Sequence, residues 1–175
     1  MQKIKKSFFE NDTEVVAKSL LWKVIQVWEK AWIIFEVEAY KGLCDEASHA
    51  YPKKTPRNTL MYETFWNVYV YLIYWMHYCL NFTTDTKKPW AVLIRWIKDL
   101  HTWKIYDWPW KLTKFFWIDK SFNALDLEKS SEIQLYDYGF KIEKIFNTPR
   151  IGIKKAVDKK WRFYIEDVRR YQGYT

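Results

Sequence analysis

The segments Ile33-Ile34-Phe35-Glu36-Val37-Glu38-Ala39-Tyr40 and Tyr69-Val70-Tyr71-Leu72-Ile73-Tyr74-Trp75-Met76-His77-Tyr78-Cys79-Leu80-Asn81 decide how the rest of the chain is read. Strand alternation in the first sends Ile33, Phe35 and Val37 to one face and Glu36, Glu38 and Tyr40 to the other, which sets carboxylates beside an aromatic ring. The same period in the second puts Tyr69 and Tyr71 together, ahead of a chain reversal over 74–76. For any strand the plainest expectation is that Glu36 and Glu38 face water.

Outward from these strands, Asn11 or Asp12 can cap a helix running to about Leu21, with Val16, Ala17, Leu20 and Leu21 as its apolar stripe. Strands are expected over 24–27, 31–40, 68–73, 77–81, 91–95, 142–145, 151–153 and 162–165. Asp45 to His49 reads as one helical turn that carries His49 back towards the strand. Pro109 suits the first turn of a helix over 111–116. Lys53, Lys54, Thr55 and Arg57 form a basic loop suited to phosphate contact. The end DVRRYQGYT reads as a solvated tail.

The chain has 175 residues and no repeat or long linker, so a single domain spanning 1–175 is expected. Twenty-nine Lys and Arg against 21 acids give a net charge of +8, which makes a polyanionic partner plausible. Cys44 and Cys79 have no metal-ligand spacing, and MQKIKKSFFENDTE carries charges where a signal peptide needs an apolar core, so a cytoplasmic chain with free thiols and no metal is expected. The uncharged run 64–84 is long enough for a membrane span, but Asn67, His77, Asn81 and its tyrosines argue against one.

EVEAYKGLCDEASHA, TPRN, YVYLIYWMHYCLN and AVLIR, in this order, with PRIGI and WRFYI near the end, resemble the alkyladenine (3-methyladenine) DNA glycosylase family over about 20–165. The resemblance implies an α+β fold, a curved antiparallel sheet with flanking helices. It implies a monofunctional enzyme that flips an alkylated or deaminated purine out of damaged double-stranded DNA. Water then cuts the N-glycosidic bond and leaves an abasic site, with no cofactor and no metal. It assigns Glu38 as general base, and Arg95 to hold the water with a backbone carbonyl around Ile165. Tyr40, His49 and Tyr71 are to sandwich the base, Asn81 to crowd a guanine amino group, and Tyr74 to fill the vacated stack. Thr55 and Arg57 are the phosphate contacts. The implied protein is a monomer acting at the nucleoid; Glu36, one strand period from Glu38, is the internal control, and its amide variant is expected to keep most activity. The alternative is a non-catalytic relative that only binds nucleic acid.

Twelve tryptophans accompany only four glycines, where about twelve glycines are usual for this length. At Trp22, Trp32, Trp66, Trp75, Trp108, Trp110 and Trp117 the matching family segments have glycine, as in LLGK, YGM, GPGKL and LGI. Trp75 falls at a hairpin tip and Trp117 at a helix C′ position, where a left-handed backbone is expected. Such a conformation costs a non-glycine residue roughly 1–2 kcal/mol. The expectation is that these are UGA codons belonging to glycine; exchanging all seven would leave eleven glycines and five tryptophans.

Overall fold

The computed structural model describes residues 1–73, 75–141 and 144–166. In chain order the elements are β1 (Gln2–Lys3), α1 (Thr13–Leu20), β2 (Val24–Val27), β3 (Lys30–Tyr40), α2 (Thr59–Glu63), β4 (Val68–Ile73), β5 (His77–Thr84), β6 (Trp90–Asp99), β7 (Ile105–Tyr106), α3 (Pro109–Phe116), β8 (Ile133–Asp137), β9 (Ile145–Thr148) and β10 (Arg162–Ile165). The strands form one antiparallel sheet in the order β1-β8-β2-β3-β6-β5-β4, with β7 on β6 and β10 bridging β3 and β9. This is the α+β class read from the sequence.

β3 is the axis. Its first half pairs with β2 over Lys30–Ile33 and its second with β10 over Glu36–Glu38, while β6 runs along its other edge. With both edges paired and both faces covered, Trp32 to Ala39 is buried without a break. The β3–β6 register shifts on either side of Glu36, an irregularity of the kind that bends a strand and re-aims its side chains.

The helices lie where the apolar stripes require. Asp12 caps α1 by accepting from the Glu14 N–H at 2.8 Å, and Val16, Ala17 and Leu20 are buried. α3 starts on Pro109 and buries Leu112, Thr113 and Phe116. β2, β4 and β10 have the bounds expected from alternation, whereas β5 and β6 continue past Asn81 and Arg95 to Thr84 and Asp99.

Two expectations need correction, and one strand was missed. Residues 151–153 make no strand but belong to a loop of bends, where Pro149 offers no N–H and Gly152 is left-handed at φ 81°. Residues 45–49 are not a helical turn: Asp45 takes the N–H groups of Lys41 and Ala47 onto its carboxylate, and the chain reverses by turns instead. β8 was unforeseen, although Ile133 and Leu135 alternate inward within it. Tyr74, Ile142 and the tail from Asp167 lie outside the described residues. Among the described residues no helix is long and apolar enough to cross a membrane; most of the uncharged run 64–84 forms the β4–β5 hairpin.

Candidate active site

Glu38 projects from the middle of the sheet and is fully buried. Its Oε1 accepts from the Ile151 N–H at 2.8 Å and faces Arg95 Nη1 at 3.3 Å, and its Oε2 accepts from the Tyr40 hydroxyl at 2.9 Å. An ionised carboxylate offers about four acceptor sites. The three described donors leave room for a further one. Burial pushes the Glu38 carboxyl above its ordinary range, while Arg95, the Ile151 N–H and the Tyr40 hydroxyl pull it back. Burial and the adjacent Glu38 in turn raise the Tyr40 phenol, so it stays protonated and donates.

Glu36 does not face water. It is 4% exposed, with Oε1 accepting from Arg95 Nε at 2.7 Å and Oε2 from Arg162 Nη1 at 2.8 Å. Alternation did put it on the face of Glu38, but β10 pairs along the edge of β3 beside it and supplies the second arginine.

Above this ion network the aromatic residues converge. Tyr40 and His49 are nearly parallel, with centroids 6.5 Å apart, and His49 stacks on Tyr71 at 3.3 Å. The 6.5 Å gap is close to two van der Waals layers of about 3.5 Å. Burial and the nearby Arg57 charge lower the His49 imidazole to about 4, so it is neutral at pH 7. Asn81 is buried, and its amide donates to the carbonyls of Tyr69 and Cys79.

These groups enclose a cavity of about 840 Å³, lined by Tyr40, His49, Tyr71, Asn81 and Arg95 and rimmed by Arg57. Glu38 lies beneath its floor, behind Arg95 and Tyr40. The volume is that of a small-molecule site.

The cavity wall that periodicity could not reveal is the loop after β9. Arg150 is bidentate to Asp45 at 2.6 and 2.7 Å, donates to the Ala39 carbonyl at 3.1 Å, and lies over the rings of Tyr40 and Trp161. It anchors the loop so that the next residue, Ile151, caps Glu38. The backbone near Glu38 is therefore that of Ile151; Ile165 pairs with Ile145 in the sheet and is not among the described cavity residues.

In the basic loop, Asn58 accepts from the Thr55 N–H and donates to the carbonyls of His49 and Lys53, which ties the loop to the aromatic wall. Arg57 stacks on Tyr71 and Trp75 at the rim, whereas Thr55 stands behind it, off the described cavity surface. The described residues contain no cluster fit to hold a metal ion.

An antiparallel sheet that buries a carboxylate under an aromatic slot, on a basic chain, is the architecture of a DNA glycosylase. The methylpurine-DNA glycosylase family model matches residues 7–169, and the chain belongs to that family. It is 40% identical over 167 residues to a Rickettsia felis protein provisionally named 3-methyladenine DNA glycosylase, covering 94% of each chain. It is 39% identical over 174 residues to a protein of the same name in Ehrlichia ruminantium strain Welgevonden, covering 97% of this chain and 92% of that one. The enzyme is thus a methylpurine-DNA glycosylase that acts on DNA.

Proposed function

We propose that the enzyme is monofunctional, flips methylated and deaminated purines out of double-stranded DNA as a monomer, and hydrolyses the N-glycosidic bond with Glu38 as general base. The observation that carries this is the fully buried Glu38, bonded to the Tyr40 hydroxyl, together with the 6.5 Å separation of the Tyr40 and His49 rings.

A base inside a duplex is out of reach of any buried group, so it must be extruded into the slot. Tyr40 would cover one face of the purine and His49, backed by Tyr71, the other. Glu38 takes a proton from a water as that water attacks C1′ of the sugar. The electron pair of the C1′–N bond leaves with the base. A purine methylated at N3 or N7 already carries positive charge and departs neutral, so it needs no proton. Ring faces favour a cation, and a neutral His49 does not repel one. Deaminated purines leave as anions and depend more on the site. Arg95 holds the water beside Glu38, Asn81 disfavours a guanine amino group, and Arg57 meets the phosphate backbone with Thr55 steadying its loop.

The test is release of 3-methyladenine and hypoxanthine from duplex oligonucleotides, read as alkali-labile sites. Strand cleavage without alkali would contradict a monofunctional reaction. Asn81→Ser is expected to widen acceptance of guanine-type lesions, and unchanged discrimination would remove that role.

A further inference from the structure

Nine non-glycine residues have a left-handed backbone among the described residues, and six of them are tryptophan: Trp22 (φ 64°), Trp28 (51°), Trp66 (72°), Trp75 (59°), Trp103 (59°) and Trp117 (57°). Twelve tryptophans in 175 residues would place fewer than one among nine positions by chance. Bulky residues are outliers in this region, which belongs to glycine and, more rarely, asparagine or aspartate. All three described glycines, Gly42, Gly139 and Gly152, are left-handed too.

At Trp22, Trp66 and Trp117 backbone hydrogen bonds fix the conformation, and Trp28, Trp75 and Trp103 lie in tight reversals. Trp117 ends α3 in a Schellman arrangement: its N–H points to Lys114 and Thr113, and the Ile118 N–H bonds the Thr113 carbonyl at 2.8 Å. Trp28 opens the two-residue turn between β2 and β3, a place for glycine or asparagine. Trp75 lies at the β4–β5 reversal and Trp103 at the β6–β7 reversal. Trp22 and Trp66 lead into β2 and β4, with their N–H groups bonded to the Ile34 and Thr83 carbonyls.

Four of these indoles are exposed, whereas Trp22 packs on Phe35 and Phe140, and Trp66 is buried against Phe9 with its indole N–H donating to Asp126 at 3.1 Å. Trp75 is 87% exposed and Trp117 75%, and Trp28 and Trp103 are exposed as well. Trp90 and Trp96, within β6, and Trp161, before β10, are not left-handed. Nor are Trp32, Trp108 and Trp110, although the resemblance flagged all three and a proline turn was expected around the last two; conversely, Trp28 and Trp103 were not flagged and emerge only from the backbone.

We propose that these six residues are glycine in the protein as its host makes it. They would be encoded by UGA, which one variant genetic code reads as tryptophan and another as glycine. The codons are expected to be UGA at all six positions and UGG at Trp90, Trp96 and Trp161. Peptide masses from the native protein are expected to show glycine at the six. UGG codons or tryptophan masses there would overturn the proposal. Expressed side by side, the chain with six glycines should melt higher than the tryptophan chain by roughly 10 °C or more. An equal or lower melting temperature would overturn it as well.

A second observation, independent of the tryptophans, is the placement of Glu36. Its two oxygens divide between Arg95, which also faces Glu38, and Arg162, which is held in turn by Thr148. We infer that Glu36 is a positioning residue that aims Arg95 across the cavity floor. The inference rests on Glu38 being the general base. Without the Glu36 charge, Glu38 becomes the remaining described carboxylate partner of Arg95, and the arginine swings onto it.

In single-turnover excision, Glu36→Gln is expected to lose roughly tenfold in rate with little change in affinity for lesion DNA. Arg162→Gln leaves the Glu36–Arg95 pair whole and is expected to keep most of the rate. Equal losses in the two variants, or a fully active Glu36→Gln, would overturn the positioning role. An active Glu38→Gln would instead overturn the catalytic reading, so the two failures are distinguishable.

Discussion

The cavity floor and the chain reversals of the same sheet are built on opposite terms. At and beneath the floor, Glu36, Glu38, Asp45, Arg95 and Arg150 are buried, and each described carboxylate meets an arginine or an N–H at hydrogen-bond distance. Buried charges are tolerable only when paired and hydrogen-bonded in this way. At the reversals and element ends, six tryptophans hold a backbone meant for residues without a Cβ, and four of the rings are exposed. The floor is a place where sequence and conformation agree; the reversals are a place where they do not. At roughly 1–2 kcal/mol for each left-handed residue, six sites cost about 6–12 kcal/mol. That is comparable to the whole stability of an ordinary domain, about 5–15 kcal/mol.

The comparison breaks first at Arg150. Arg150→Met leaves Asp45 buried without its partner and should cost about 3–5 kcal/mol in urea unfolding. A cost below about 1 kcal/mol would mean that the floor is no more committed than the surface. At the reversals the sign is opposite. Trp117→Gly should stabilise by about 1–2 kcal/mol, since its indole is 75% exposed and its φ is 57°. Trp96→Gly, made within β6, should destabilise. If the two changes had the same sign, backbone conformation would not be what separates them.

A further effect is set by pH. The folded His49 titrates near 4, below its ordinary value, so the unfolded chain binds its proton first. Stability from this group is therefore present above about 6.5 and drains away as pH falls towards 4. His49→Phe should flatten the profile in that window, and an unchanged slope would place the titration elsewhere.

Local pattern was enough to read much of the molecule. Alternation gave the bounds of β2, β4 and β10, and caps gave the start of α1 and the left-handed end of α3. The rings of Tyr40, His49 and Tyr71, named together by the resemblance, stand next to one another. What stayed hidden depends on pairing between distant parts of the chain. The burial of Glu36 comes from Arg162, 126 residues away, and the Arg150–Asp45 pair spans 105 residues. The Ile151 cap sits in a loop of bends, and loops carry no period to read. The bulky residue at each reversal likewise masked the turns at Trp28 and Trp103, because turn signals depend on glycine, proline and small polar side chains.

The central claim is that the buried Glu38 does the chemistry while the rings above it do the holding. Single-turnover release of 3-methyladenine from duplex DNA by Glu38→Gln, measured alongside its affinity for the same duplex, tests it most directly. Affinity should hold within a few-fold while release falls by at least ~10²-fold, the loss expected for a missing general base. Release at a near-normal rate would contradict the claim, and so would a loss of binding that matches the loss of release.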